Sequence, residues 1–255
     1  MFSEDFQASA NGAKGKVTFL KKNPVGYFAA SMLAGIFVGV GVILAFTIGG
    51  QLDGAAYSKT IMGVAFAVAL SLVVMAGSEL FTGNNFVMAT GIAKKTITVG
   101  EAIKLWIVCY LGNFAGSILI AVLYHLSGLG AGNAVGAFMA AGALGKMSAP
   151  MSQLFFRGIL CNFFVCTAVW CGFRCKTESG KLIMIFWCIW AFFTSGFEHS
   201  VANMTLLTEA LLNPCDQAVS LAGMAHNLIP VTLGNMVGGA ILLFGLYFLA
   251  QKNDQ

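Results

Sequence analysis

Charge is scarce in this chain. Asp, Glu, Lys and Arg together supply 9% of its 255 residues, against roughly 25% in an ordinary soluble domain. So little polar surface cannot cover a water-soluble fold of this length, and a mean hydropathy of +0.83 points the same way. Proline is nearly absent as well, at 24, 150, 214 and 230, and no two prolines form a paired N-P-A motif. Histidine occurs three times, at 125, 199 and 226, with no pairing that could hold a haem from two sides. A membrane redox enzyme is therefore disfavoured, and neither catalysis nor a cofactor is expected. The seven cysteines contain no C-x-x-C pair. Cys161, Cys166, Cys171 and Cys175 read as small, soft packing residues rather than a metal relay, so no metal site is expected. Residues 1–22 are polar and lack the short apolar core and cleavage site of a secretory leader. The net charge of +4 comes from lysines at span ends, not from one basic face, which argues against nucleic acid as a partner.

Apolar sequence is what remains, at 58% of residues. The length accommodates six bilayer spans of ~20 residues with short connections. Residues 1–22 form an N-terminal segment, and 23–251 one transmembrane domain. Asn23-Pro24 reads as an N-cap with proline at the first helical position. Spans are predicted at 24–50, 60–93, 102–126, 150–173, 181–212 and 219–250. The second is interrupted at 79–84 and the fifth at 198–203. A Gly/Ala-rich, flexible connection at 127–149 carries the lone Lys146. Ala10, Ala13, Val17 and Leu20 could give the N-terminal segment one apolar stripe, the alternative being a disordered tail.

Charge bias orients the spans. With the N-terminus inside, Lys14, Lys16, Lys21, Lys22, Lys94, Lys95, Lys104, Arg174, Lys176, Lys181 and Lys252 fall on the cytoplasmic face; Lys59, Lys146 and Arg157 fall on the other. By the positive-inside bias, both termini are expected in the cytoplasm, with the chain in the inner membrane.

The interruptions repeat. Gly77-Ser78-Glu79-Leu80-Phe81-Thr82-Gly83-Asn84 aligns with Gly196-Phe197-Glu198-His199-Ser200-Val201-Ala202-Asn203 as G-x-E-x4-N, at an offset of 119. Leu111-Gly112-Asn113 with Gly116 recurs as Leu233-Gly234-Asn235 with Gly238, at 122, and Gly35-Ile36 matches Gly158-Ile159 at 123. Three spans per half force opposite orientations, so the expectation is a 3+3 inverted repeat with halves at about 24–126 and 150–250. Carboxylates and amides are costly in hydrocarbon and persist where broken backbone lines a protected cavity. Helix N-termini meeting there favour an anion.

His199 lies inside an interruption and can exchange a proton near neutral pH. In isolation such a histidine is more often structural; its place in the repeat favours a pore. Thr82, in the opposite interruption, could donate to an anion or to the ring. Glu79 and Glu198 are expected to accept freed amides, a proton relay being the alternative, and Asn84, Asn203 and Asn162 to offer amides to exposed backbone or to substrate. Phe66, Leu70, Leu80 and Phe192 would form apolar constrictions, and Lys146 could concentrate anions at the mouth.

The motifs G-S-E-L-F-T-G-N (77–84), R-G-I-L-C-N (157–162), F-E-H-S-V-A-N-M (197–204) and H-N-L-I-P-V-T-L-G-N (226–235) resemble the formate/nitrite transporter family, nearest its nitrite- and hydrosulfide-channel branches. The similarity covers about 15–250. It implies an aquaporin-like fold assembled as a homopentamer in the lipid bilayer, with one pore per protomer for nitrite, formate or hydrosulfide. It also implies His199 and Thr82 as the pore pair, Asn162 as a polar pore residue, and Lys146 with Lys16 or Lys21 as anion-attracting cations. An aquaporin-like channel for neutral solutes is the alternative.

Overall fold

The computed structural model describes residues 2–251, so Lys252 of the charge count lies outside the described residues. The described chain is helical: α1 (Ser3–Lys22), α2 (Pro24–Gln51), α3 (Ser58–Phe66), α4 (Val68–Leu72), a π-helical turn (Val73–Gly77), α5 (Phe81–Ala93), α6 (Val99–Leu126), α7 (Ala134–Ser148), α8 (Met151–Arg174), α9 (Glu178–Thr194), α10 (Ser200–Leu212), α11 (Leu221–Met236), a second π-helical stretch (Val237–Leu243) and α12 (Phe244–Gln251). Asn23 caps α2 as its sequence suggests, its side chain accepting the Gly26 N–H at 2.8 Å.

Five helical runs among the described residues are long and apolar enough to cross a bilayer: Pro24–Gln51, Ser58–Gly77, Val99–Leu126, Met151–Arg174 and Leu221–Gln251. The predicted fifth span is divided between α9, of 17 residues, and α10, of 13. Neither piece alone spans ~30 Å of hydrocarbon at 1.5 Å per residue. The long helices are apolar on their outer faces too, with Leu33, Ile107, Leu111, Phe156 and Ile229 exposed. Helices apolar all round belong in lipid or in the core of a larger assembly. Centrally placed α5 and α10 are the opposite case: residues 81–91 and 200–207 are all buried.

Of the two readings of the N-terminal segment the structure takes the striped helix, and two other local expectations change. The N-terminal segment is a 20-residue helix whose Ala10, Ala13, Val17 and Leu20 are buried. Ser9 and Thr90 join hydroxyls at 2.8 Å, and Thr96 donates to the Ala10 carbonyl, so α1 docks on α5 and the turn after it. The connection carrying Lys146 is not flexible coil. Asn133 accepts the Val135 and Gly136 N–H groups and starts α7, so its small residues form an ordered helix. The interruptions are also shorter than predicted. Helix resumes at Phe81 and Ser200, putting Thr82, Asn84 and Asn203 inside α5 and α10.

Candidate functional site

Gly77 and Gly196 hold φ of +81° and +76°, a left-handed geometry that costs any residue with a Cβ. Backbone turned this way cannot continue the helix. Ser78 is extended at φ −158°, Leu80 at φ −101° and His199 at φ −108° before helix restarts.

The freed backbone groups are taken up twice in the same way. Asn113 accepts the Phe81 N–H at 2.9 Å and donates to the Glu79 and Ser31 carbonyls at 2.8 and 2.7 Å. Asn235 accepts the Ser200 N–H at 2.9 Å and donates to the Glu198 and Gly158 carbonyls at 2.9 and 2.8 Å. Glu79 N–H reaches the Ala30 carbonyl at 3.1 Å; Glu198 N–H reaches that of Arg157 at 3.2 Å. A Cβ on Gly116 would strike the Met32 carbonyl, and one on Gly238 that of Ile159. These partners (30 and 157, 31 and 158, 32 and 159) differ by 127 residues. The sequence match of Gly35-Ile36 with Gly158-Ile159 is thus four residues out, about one helical turn. A slip of one turn keeps the same residues facing the neighbouring helix, which is why the pattern alone permits it.

His199 is the N-cap of α10, its Nδ1 accepting the Ala202 N–H at 3.0 Å. A backbone amide can only donate, so Nδ1 is bare and the hydrogen of the neutral ring sits on Nε2. That nitrogen lies 2.9 Å from Thr82 Oγ1 and donates to it, joining α10 to α5. The ring of Phe192 stacks on the imidazole, centroids 5.9 Å apart. Among the described residues, the first-turn N–H groups of Thr82, Gly83 and Val201 have no hydrogen-bond partner and remain available as donors.

Each carboxylate pairs with a lysine from a helix outside the interrupted segments. Lys16 of α1 lies 2.7 and 2.8 Å from the two oxygens of Glu79. Lys146 of α7 lies 2.8 Å from Glu198 Oε1. Asn84 and Asn203 donate to the same carboxylates at 3.0 and 2.6 Å. The predicted role of Glu79 and Glu198 as acceptors for freed backbone amides is not what the side chains do; Asn113 and Asn235 do it instead. Lys21 goes elsewhere, to Glu101, which leaves Lys16 as the lysine at this position.

Three spaces lie along these groups. One of about 460 Å³ is lined by Lys16, Lys181, Glu79, Leu70 and Leu80. A small one of about 30 Å³, room for roughly one water, touches His199, Phe66, Phe192 and Lys146. A third of about 790 Å³ is lined by Lys59, Lys146, Arg157, Asp53 and Glu198. The three cations assigned to the minority face all border this last space. Asn162 borders none of them; it donates to the Thr82 carbonyl at 3.2 Å and the Asn235 carbonyl at 2.6 Å, supporting α5 from behind.

Sequence reasoning named Asn113 and Asn235 only as marks of the repeat, although their recurrence beside each interruption was the available signal. Tyr27, whose hydroxyl donates to Glu79 Oε2 at 3.0 Å, and Asn227, which accepts from Asn203 at 2.8 Å, carried no local signal.

The formate/nitrite transporter family model matches residues 3–249. The chain is 38% identical to the nitrite transporter NirC of Salmonella typhimurium, over 100% of this chain and 94% of that relative. Among solved structures it is similar to an FNT family ion channel (TM-score 0.93, 38% identity, 98% of this chain and 99% of that one). It is also similar to a pentameric formate channel with formate bound (TM-score 0.79, 28% identity, 90% and 98%).

Proposed function

We propose, from the premise that this chain belongs to the formate/nitrite transporter family, that it passes small monovalent anions (nitrite, formate or hydrosulfide) across a bilayer, passively or together with a proton. It is a transport protein, not an enzyme. The reading extends to a homopentamer with one path per protomer, in the inner membrane with both termini cytoplasmic. Within the protomer, six spans form a 3+3 inverted repeat, α3–α5 and α9–α10 being the two interrupted spans. The matching hydrogen bonds of Asn113 and Asn235 and the alike Lys16–Glu79 and Lys146–Glu198 pairs support that duplication.

One observation carries the proposal: the Thr82–His199 hydrogen bond where the starts of α5 and α10 meet, with a large space on the Lys16 side and another on the Lys146 side. Leu70 and Leu80 border the first space, and Phe66 and Phe192 the small void at His199. Apolar rings of this kind oppose a naked anion, whose desolvation is expensive. The threonine hydroxyl, left free to donate because it accepts from His199, and the free amides of Thr82, Gly83 and Val201 offset part of that cost. A weak-acid anion that takes a proton from the imidazolium, formed when Nδ1 releases the Ala202 amide and is protonated from water, leaves the neutral ring behind, crosses as the neutral acid and avoids the rest. Asn162 then acts through Thr82, and Lys16 and Lys146, each largely offset by its carboxylate, add only their residual charge to the field at the two mouths.

Competitive flux of nitrite, formate and hydrosulfide into liposomes bearing the full chain tests this. Saturable anion uptake that changes with pH is expected. Passage of water or glycerol without any anion uptake would instead establish the neutral-solute reading.

A further inference from the structure

The 790 Å³ space is bordered by three cations, but they are not equally available. Lys146 is held by Glu198 at 2.8 Å, which cancels much of its charge for an arriving ion. Arg157 has no ion pair among the described residues. Its side chain makes one hydrogen bond, from Nη2 to the neutral amide oxygen of Gln153 at 3.1 Å, leaving most of the five N–H donors of a guanidinium unused. The residue is also anchored at the interruption, because its carbonyl accepts the Glu198 N–H. The other arginine of the chain, Arg174, is committed to Asp5 at 3.2 Å. On the opposite side, Lys16 and Lys181 border the 460 Å³ space, one bound to Glu79 and the other to Glu178. The uncommitted guanidinium therefore stands on the Lys146 side alone.

We propose that Arg157 is an anion-capturing and shape-selecting residue of the Lys146-side space, taking planar two-oxygen anions such as nitrite and formate through two parallel N–H donors. This rests on the transport reading above and adds an order of preference to it. A guanidinium offers a fixed fork that matches a planar pair of oxygens, whereas an ammonium is a point charge indifferent to shape. Hydrosulfide, with one acceptor atom, gains nothing from the fork. The entrance, and not only the centre, thus discriminates among small anions.

The test compares the full-length protein with R157K and R157Q, each checked for unchanged elution and thermal unfolding. Half-saturating concentrations are measured in liposomes for nitrite, formate and hydrosulfide. Calorimetric titration of the detergent-purified protein with sodium nitrite and sodium formate reads binding directly. R157K is expected to weaken nitrite and formate about tenfold, equivalent to losing about one charge-assisted hydrogen bond. Hydrosulfide should shift less than about twofold under the same charge-conserving change. R157Q weakens all three. An R157K protein equal to wild type for every anion, or weakened equally for all, overturns the proposal. Should wild type bind nitrite in an Arg157-dependent way yet transport none of the ions, the transport reading fails while the capture role of Arg157 stands.

Discussion

His199 Nε2 donates to the hydroxyl of Thr82 across 2.9 Å, and the ring can do so because its other nitrogen is already occupied by the Ala202 amide. A second proton on the imidazole would have to displace that amide from Nδ1. Proton exchange and helix capping are thereby tied to one side chain.

Two substitutions separate those roles. Asparagine is a strong N-cap residue but does not titrate, whereas alanine does neither. His199→Asn should unfold near the wild-type temperature, while His199→Ala should lose about 1 kcal/mol. Both should flatten the dependence of anion flux on pH, because neither side chain exchanges a proton in place of the imidazole. A wild-type pH profile in His199→Asn liposomes would remove the proton role and leave only the cap.

Glu198 has a side chain only 4% exposed and depends on Lys146 for its counter-charge. Removing one partner of such a pair strands the other, at a cost of about 3–5 kcal/mol. Lys146→Met should therefore be markedly destabilised, and Lys146→Met with Glu198→Met should recover part of the loss. Thermal unfolding of the four proteins in a double-mutant cycle measures the coupling. Strictly additive losses would show that the two groups do not support each other.

Gly77 and Gly196 have no neighbouring atom within 4 Å of an added Cβ, so replacing them tests backbone conformation and nothing else. Alanine at either site should cost about 1–2 kcal/mol for a left-handed residue. Asparagine, which tolerates that region better, should cost less, and valine more. An alanine protein as stable as wild type would mean that the turn is not held left-handed in the bilayer.

Asn113 and Asn235 should be equally hard to replace. Alanine at either position strands one amide and two carbonyls in a water-poor interior, each worth about 1–3 kcal/mol. Comparable loss of folded yield for Asn113→Ala and Asn235→Ala is the expected outcome. Loss confined to one of them would argue that the two interruptions are not built alike.

The long apolar spans were legible by composition, and the two G-x-E-x4-N segments with His199 and Thr82 were legible as local polar departures from an apolar background. Other features depended on distant partners. The Gly/Ala stretch around Lys146 looks like linker by composition, yet it forms α7, with Lys146 brought to a carboxylate 52 residues away. Lys16 likewise reaches Glu79 across 63 residues. Asn162 was open to two uses of its amide, on exposed backbone or on substrate, and its amide goes to the Thr82 and Asn235 carbonyls.

By itself the sequence determined the environment and the places where helix must fail. Scarcity of charge excludes water as the main solvent, and a glycine followed by a carboxylate and an amide cannot pass unbroken through hydrocarbon. Only the tertiary structure decided which groups satisfy the backbone released at those places, which lysine meets which carboxylate, and which residues of α2 and of α8 meet the two interruptions. Hydrophobic pattern is nearly unchanged by a shift of one turn, whereas hydrogen bonds and close backbone contacts tolerate no such slip.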